Sequence, residues 1–455
     1  MKINVQEFFN QHQLSSYQWM IFIFTFLVAF FDGLDTAAIG YIAPSLLAQW
    51  GMEKKELAPV MSAALFGLAF GAVAFGPLAD KVGRKLMLVV SVFIFSAFSV
   101  ASAFAQNLTQ LEVLRFITGV GLGAAMPNAV TILSEFCPEK KRSFMVNTMY
   151  CGFPLGAAAG GFVSSWLIPN FGWQSVLIVG GTIPLIMSII MWFVIPESVS
   201  YMVLNKKPLQ TIKRTLAKVH PDANQASEFV LTEKAPSSAS QQSGMGVVLS
   251  KHYLVGSVML WLSYFLGLMV FYAIINWMPT LISEAKNAGM DPKLGPVISG
   301  LFALGGLGAI ANGWLMDRFN GNLLIALFSL LTAVFVGIIG ASLNWGVSAF
   351  IAVVILAGIF QNTAQSSLPS LAAKFYPTAG RTTGVSWMTG IGRFGAIAGS
   401  FLMAEMVARE MTLENMFYVL AVPSVIMMAC LVVKNVLYPE SKDQPKSSGA
   451  EVLGH

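Results

Sequence analysis

Charge is scarce in this chain. Only 11% of its 455 residues are Asp, Glu, Lys or Arg, where a soluble domain carries about 25%. Cysteine is scarce too. Cys137, Cys151 and Cys430 are too few and too scattered for a disulfide framework. There are four histidines, His12, His220, His252 and His455, and all fall outside the long apolar runs, which argues against a histidine proton relay. No Walker loop is present, so the chain is not expected to hydrolyse ATP. No Cys/His metal spacing and no nucleophile elbow are present either. These absences argue against an enzyme and call for no metal and no cofactor.

What is there is hydrophobic. AVILMFWYC residues make up 56% of the chain. The apolar runs far exceed ten residues and do not alternate, which excludes a β-barrel and leaves a polytopic α-helical membrane protein. Glycine is abundant at 41 residues, as expected where helices approach closely. The formal charge of +5 suits loops beside anionic lipid better than nucleic acid. Residues 1–16 are polar and include Glu7, so they do not read as a signal peptide.

Twelve runs of spanning length can be counted, at 17–40, 58–79, 86–105, 111–134, 145–168 and 173–195, then 254–281, 295–316, 322–341, 345–368, 383–407 and 413–437. With both termini in the cytoplasm, 20 of the 27 Lys and Arg residues fall on the cytoplasmic side and five outside. That bias sets the orientation. Arg115 and Arg393 remain inside spans. The domains expected are a six-helix bundle over 1–195, a cytoplasmic linker over 196–252, a second bundle over 253–438 and a disordered tail over 439–455. Within the linker, Leu209, Ile212, Leu216 and Val219 recur at near-helical spacing with Lys213, Arg214 and Lys218 between them. They predict an amphipathic helix lying on the inner membrane surface. Residues 236–246 predict a flexible stretch.

The two halves are related. At an offset of 239, Phe136, Pro138, Arg142, Val146, Met149, Gly156, Ala157, Ala159, Gly160 and Phe162 match Phe375, Pro377, Arg381, Val385, Met388, Gly395, Ala396, Ala398, Gly399 and Phe401. Equal order and equal orientation make this a parallel repeat, the arrangement of two-halved secondary transporters with a central site. Symmetry breaks at one slot, where Arg393 stands opposite Pro154.

Intramembrane charges are expensive and mark function. Asp32 and Asp35 share one helix face by their i, i+3 spacing. Asp32 lies 13 residues beyond Trp19, roughly 20 Å along a helix. The pair are candidates to carry protons, or else to hydrogen-bond at a helix break near Gly33, Gly40 and Pro44. Arg393 falls about 15 Å into its span, at the midplane, where a guanidinium can take a carboxylate by two parallel hydrogen bonds. Its bland reading is a structural partner for Asp32, Asp35 or Glu135. Arg115 is near the outer end of helix 4, within snorkelling reach of the interface. Glu135, at the cytoplasmic end of the same helix, suits a basic loop partner. Asn276, Trp277 and Pro279 suggest a broken helix 7 facing a cavity. Gln361, Asn362, Gln365 and Ser366 form a polar patch on helix 10, and Phe271, Tyr272, Phe360 and Trp387 are candidates to stack on a ring.

Several motifs carry a resemblance. Residues 76–85, GPLADKVGRK, resemble the signature loop between helices 2 and 3 of the major facilitator superfamily, and residues 115–121, RFITGVG, resemble its helix-4 motif. More narrowly, Asp32-Gly33-Leu34-Asp35 resembles the DGxD motif of the aromatic acid:proton symporter family. Residues 115–128, Pro196-Glu197-Ser198, residues 276–280 and the stretch 376–393 are similar to that family as well.

The resemblance implies an all-α polytopic protein of twelve transmembrane helices in two six-helix bundles. It implies a proton-coupled symporter that imports benzoate, 4-hydroxybenzoate or a related aromatic acid across the inner membrane, acting as a monomer. It implies proton coupling at Asp32 and Asp35 and a transport role, taken as substrate contact, at Arg115 and Arg393; to these the polar and aromatic pattern of the spans adds Asn276, Trp277, Gln361 and Tyr272 as candidate substrate contacts. Gating falls on Asp80, Arg84, Glu135, Asp317 and Arg381. The second copy of the signature loop departs from the first, with Gly321 and Asn322 standing where the first has Arg84 and Lys85. A carrier of aliphatic acids, a drug/proton antiporter and a non-transporting receptor stand as alternatives.

Overall fold

In hydrocarbon, backbone N–H and C=O groups must pair within their own segment, and the helix is the local solution. The computed structural model describes residues 2–231, 244–284, 290–308, 312, 315–316, 318–376 and 378–439. The side chains at 76, 77, 80, 143, 244, 245 and 378–382 fall outside that description. Of the stretch expected to be flexible, 236–246, residues 236–243 lie outside the described residues and 244–246 open a short helix, Gly244–Val248; the tail from 440 onward also lies outside them.

The chain opens with a strand, β1 (Lys2–Asn4), and a short helix, α1 (Val5–Gln11). The first half then contains α2 (Ser16–Trp50), α3 (Leu57–Val82), α4 (Arg84–Ser102), α5 (Leu108–Glu135), α6 (Glu139–Tyr150), α7 (Gly152–Phe171) and α8 (Gln174–Val194). Between the halves lie α9 (Val199–Leu204), α10 (Leu209–Leu216), a strand β2 (Glu228–Val230) and α11 (Gly244–Val248). The second half contains α12 (Leu254–Glu284), α13 (Leu294–Leu304), α14 (Gly321–Ser342), α15 (Val347–Phe375), α16 (Thr378–Ala408) and α17 (Leu413–Leu437).

Eleven helical stretches among the described residues are long and apolar enough to cross a membrane, α6 and α7 counting as one. The eighth of the twelve expected spans is represented by α13, extended by a 3-10 turn to Leu307. Residues 309–311, 313, 314 and 317 lie outside the described residues.

The helix starts follow local chemistry. Ser15 and Gln18 form a reciprocal capping box at α2, and Asn107, Asn320 and Thr412 cap α5, α14 and α17. The first span runs ten residues beyond its expected end because Pro44 is carried inside α2, which stops at Gly51 in the left-handed region (φ 61°).

The repeat is visible in the packing. A β-carbon at Gly156 would collide with the backbone of Phe30 on α2, and one at the repeat-related Gly395 would collide with the backbone of Phe265 on α12. Thus α2 lies against α7 as α12 lies against α16. Likewise α4 packs on α5 and α8, and α14 on α15 and α17.

Two expectations are corrected. Helix 7 is not broken: α12 is continuous through Pro279. Proline leaves the Ile275 carbonyl without its helical donor, and Ser299 on α13 donates to that carbonyl from Oγ at 2.7 Å. The linker helix α10 does not turn its apolar face to lipid. Ile212 and Leu216 are buried in a cluster with Phe8, Phe9, Ala223 and Phe229. Most of its apolar stripe, though not the exposed Leu209, is covered by the chain's own N-terminal segment, because β1 pairs in parallel with β2, Lys2 opposite Glu228 and Asn4 opposite Val230. This short two-stranded sheet accompanies an otherwise all-α architecture.

The halves meet along α2–α12, α7–α13 and α3–α16. A β-carbon at Gly40 would lie 2.7 Å from the Asn276 Cα. Pro154 packs beside Gly306. Lys54 and Glu284, just beyond α2 and at the end of α12, pair at 2.6 Å.

Candidate functional site

Asp32 and Asp35 are both buried, at 4% and 1% exposure, but they have different surroundings. Asp35 is saturated. Its Oδ1 accepts from Arg115 Nη1 at 3.0 Å and from Ser99 Oγ at 2.6 Å, and its Oδ2 accepts from Arg115 Nη2 at 2.8 Å. The same Nη2 also donates to the Asp35 carbonyl at 3.1 Å. This is a bidentate pair inside the first half, tying α2, α4 and α5 together. Arg115 is fully buried and does not snorkel: Asp35 offers acceptors to both of its terminal nitrogens inside the protein.

Asp32 accepts a hydrogen bond from Thr36 Oγ1 at 3.2 Å. It lies within electrostatic range of Arg393 on α16. Arg393 is half-buried, and its Nη1 donates to the Leu68 carbonyl on α3 at 3.2 Å. Tyr150, Tyr264 and Tyr272 lie within the same electrostatic range of the guanidinium. Acid and cation thus come from opposite halves, with three phenols around them. Tyr150 is 48% exposed, so the cluster borders accessible space.

Of the residues expected at a site, the fold brings Asp32, Arg393 and Tyr272 together. Tyr150 and Tyr264 were missed. Tyr150 precedes Pro154 by one helical turn, and Pro154 is the repeat counterpart of Arg393. Tyr264 precedes Tyr272 by eight residues, close to the same helix face. Asn276 and Trp277 are sealed in the contact between α2 and α12, at 1% and 0% exposure. Gln361 sits beside the group. Its Nε2 donates to the Gly267 carbonyl at 2.6 Å, and its Oε1 is buried without a partner. Gln365, one turn on, donates to the Tyr264 carbonyl at 3.3 Å, and its Oε1 is likewise unpartnered.

A second cluster stands at the far end of the first half. Glu197 Oε1 accepts the backbone N–H of Arg84 at 2.9 Å, of Lys85 at 3.0 Å and of Ser198 at 2.9 Å. A carboxylate therefore caps the positive end of α4. Gly83, with φ 110°, makes the turn beneath it, and a β-carbon there would meet the Glu197 carboxylate. Glu135 accepts from Ser198 Oγ at 2.5 Å and lies 4.0 Å from Arg84 Nε. Arg84 and Glu135 are thus brought together, through Glu197, which the sequence reading quoted only within a motif. Asp317 and the side chains of Asp80 and Arg381 lie outside the described residues. Replacing Glu197 with Ala removes the acceptor of three N–H groups and is expected to lower stability by about 1–2 kcal/mol, the usual loss of a helix cap. Thermal unfolding in detergent checks this, and an unchanged midpoint would refute the cap.

The sequence profile of the Major Facilitator Superfamily matches residues 25–400 and 298–453. The 4-hydroxybenzoate transporter PcaK of Pseudomonas aeruginosa is 46% identical over 438 residues, covering 96% of each chain. The gallate transporter of Pseudomonas putida is 40% identical over 423 residues, covering 93% of each. Among solved structures, the inward-open xylose transporter XylE of Escherichia coli matches with a TM-score of 0.71 at 17% identity, over 94% of this chain and 98% of that one. On these matches, the chain belongs to the Major Facilitator Superfamily and, within it, to the aromatic-acid transporters.

Proposed function

We propose that this aromatic-acid transporter is a proton-coupled symporter with 4-hydroxybenzoate as its first candidate substrate, the substrate named for its 46%-identical relative. The observation that carries the reading is that Asp32 and Arg393, from opposite halves, lie within electrostatic range of each other. A substrate carboxylate that binds Arg393 competes with Asp32 for the same cation. An Asp32 carboxylate stripped of its counter-charge in a low-dielectric site takes a proton rather than stay bare. Substrate and proton then load together, and one proton per monoanion crosses without net charge. A second proton would add about 2.3 kcal/mol per 100 mV. The phenols and the free Gln361 Oε1 suit an aromatic ring bearing a hydroxyl donor.

The same reading takes residues 1–195 and 253–438 as the two rocking bundles and 196–252 as the cytoplasmic linker. It places both termini in the cytoplasm of an inner-membrane monomer that performs no enzymatic step. Asp35 and Arg115 serve as a fixed brace, and only Asp32 exchanges a proton.

Uptake of labelled 4-hydroxybenzoate into proteoliposomes, with and without an imposed proton gradient, tests the reading. Gradient-independent uptake would remove the coupling. In the same assay Arg393→Lys is expected to raise KM about tenfold or more, because one of two charge-assisted hydrogen bonds is lost. An unchanged KM would argue against bidentate recognition.

A further inference from the structure

The fold brings two of the four histidines together at a place unrelated to the transport site. His12 follows α1, and His220 and Asp222 follow α10, with His12 and Asp222 210 positions apart in sequence. No spacing pattern in the sequence could announce such a group. The His12 and His220 rings lie 3.8 Å apart at a 30° angle. Asp222 Oδ2 is 3.2 Å from His12 Nε2 and 3.2 Å from His220 Nδ1. The three donor atoms all fall within 4.8 Å of one another.

Proton bookkeeping makes this arrangement informative. His12 Nδ1 is 2.7 Å from the Phe8 carbonyl. A carbonyl only accepts, so Nδ1 carries the hydrogen and the neutral ring presents a bare lone pair at Nε2. His220 Nδ1 lies 3.4 Å from the Asp222 backbone nitrogen and accepts its N–H through the ring nitrogen's single lone pair, a long contact that a cation bound there would replace. His12 Nε2 and His220 Nδ1 thus both lie beside the same carboxylate oxygen, a gathering that takes a proton or a metal cation between its members. A backbone carbonyl holding the far ring nitrogen is the support that metal-bound histidines usually have. A tetrahedral Zn²⁺ with bonds of about 2.0–2.1 Å has its ligand atoms roughly 3.3–3.4 Å apart, close to the two 3.2 Å separations.

We infer that His12, His220 and Asp222 form a binding site for a borderline-soft divalent cation such as Zn²⁺, which staples the N-terminal segment to the segment joining the two halves. The nitrogen donors disfavour Mg²⁺ and Ca²⁺. Water completes the coordination, since Asp222 is 52% exposed. The staple adds to the β1–β2 pairing and to the 2.9 Å Lys2–Glu228 ion pair at the same junction. It holds the connecting segment to the start of α2, four residues after His12.

The test uses tag-free full-length protein in detergent, titrated with Co²⁺ alone and then with Zn²⁺. One Co²⁺ per chain is expected to bind with the visible absorption of a low-coordinate nitrogen/oxygen site, and Zn²⁺ should displace it. His12→Ala and Asp222→Asn should each weaken binding on the order of tenfold or more, with the variants' uptake of labelled 4-hydroxybenzoate reporting that they are folded. In wild type, Zn²⁺ should slow amide exchange across residues 2–12 and 220–230. The absence of saturable binding at one ion per chain would overturn the site, as would unchanged affinity in folded His12→Ala. Exchange that responds to pH but not to Zn²⁺ would also overturn it and assign the cluster to protons instead.

Discussion

Asp32→Asn is expected to abolish concentrative uptake while leaving exchange across the membrane intact. Asparagine keeps the shape of the aspartate and still accepts from Thr36 Oγ1, so the local structure around α2 should hold. It also fixes the site in the neutral form that the substrate-loaded carrier is proposed to adopt. Arg393 is then permanently available to the substrate carboxylate, and labelled 4-hydroxybenzoate should still equilibrate in counterflow. What disappears is the stored gradient. Each coupled proton contributes about 1.4 kcal/mol per pH unit, a tenfold accumulation, and the variant should fall to the unconcentrated level. Full accumulation by Asp32→Asn would sink the proton role of this residue. Loss of counterflow together with accumulation would mean that Asp32 is needed for binding or for the rocking motion itself.

Much of this was legible in the sequence. Apolar runs gave eleven of the twelve expected spans directly, because a segment in hydrocarbon has few options besides the helix. The 239-residue offset carried the packing of α2 on α7 into that of α12 on α16, since close helix approach needs glycine at both Gly156 and Gly395. The slot where the repeat fails, Pro154 against Arg393, marked a cation that reaches the opposite half, where it donates to the Leu68 carbonyl.

The rest was not legible, for identifiable reasons. The i, i+3 spacing places Asp32 and Asp35 on one helix face, but a face spans enough arc for its members to meet different neighbours. Asp35 meets Arg115 and Ser99 within its own half, whereas Asp32 meets a cation from the other. Asn276 and Trp277 looked like cavity lining because proline and asparagine together suggest a break. Ser299, 24 residues beyond Ile275, donates to the carbonyl that the proline frees and makes the break unnecessary. The N-terminal strand was invisible because three residues carry no periodicity, and its partner lies beyond the entire first half.

The pairing of Asp35 with Arg115 leads to the expected result of largest structural effect. Arg115→Met should destabilise the protein by about 3–5 kcal/mol, because a buried carboxylate loses its cation. Asp35→Asn should cost a comparable amount by stranding the guanidinium, whose Nε has no partner even in the intact pair. The double variant, Asp35→Asn with Arg115→Met, should recover most of the loss, since a buried ion pair exchanged for neutral groups of similar volume is often nearly neutral in stability. Thermal unfolding of all four proteins in detergent yields the coupling energy directly. Additive losses would refute a private ion pair and would require each residue to have other partners. The double variant also separates brace from proton carrier. If Asp35 only braces α2 against α4 and α5, gradient-driven uptake should survive in the folded double variant. If accumulation vanishes while counterflow remains, Asp35 carries a proton after all, and the division of labour between the two aspartates falls.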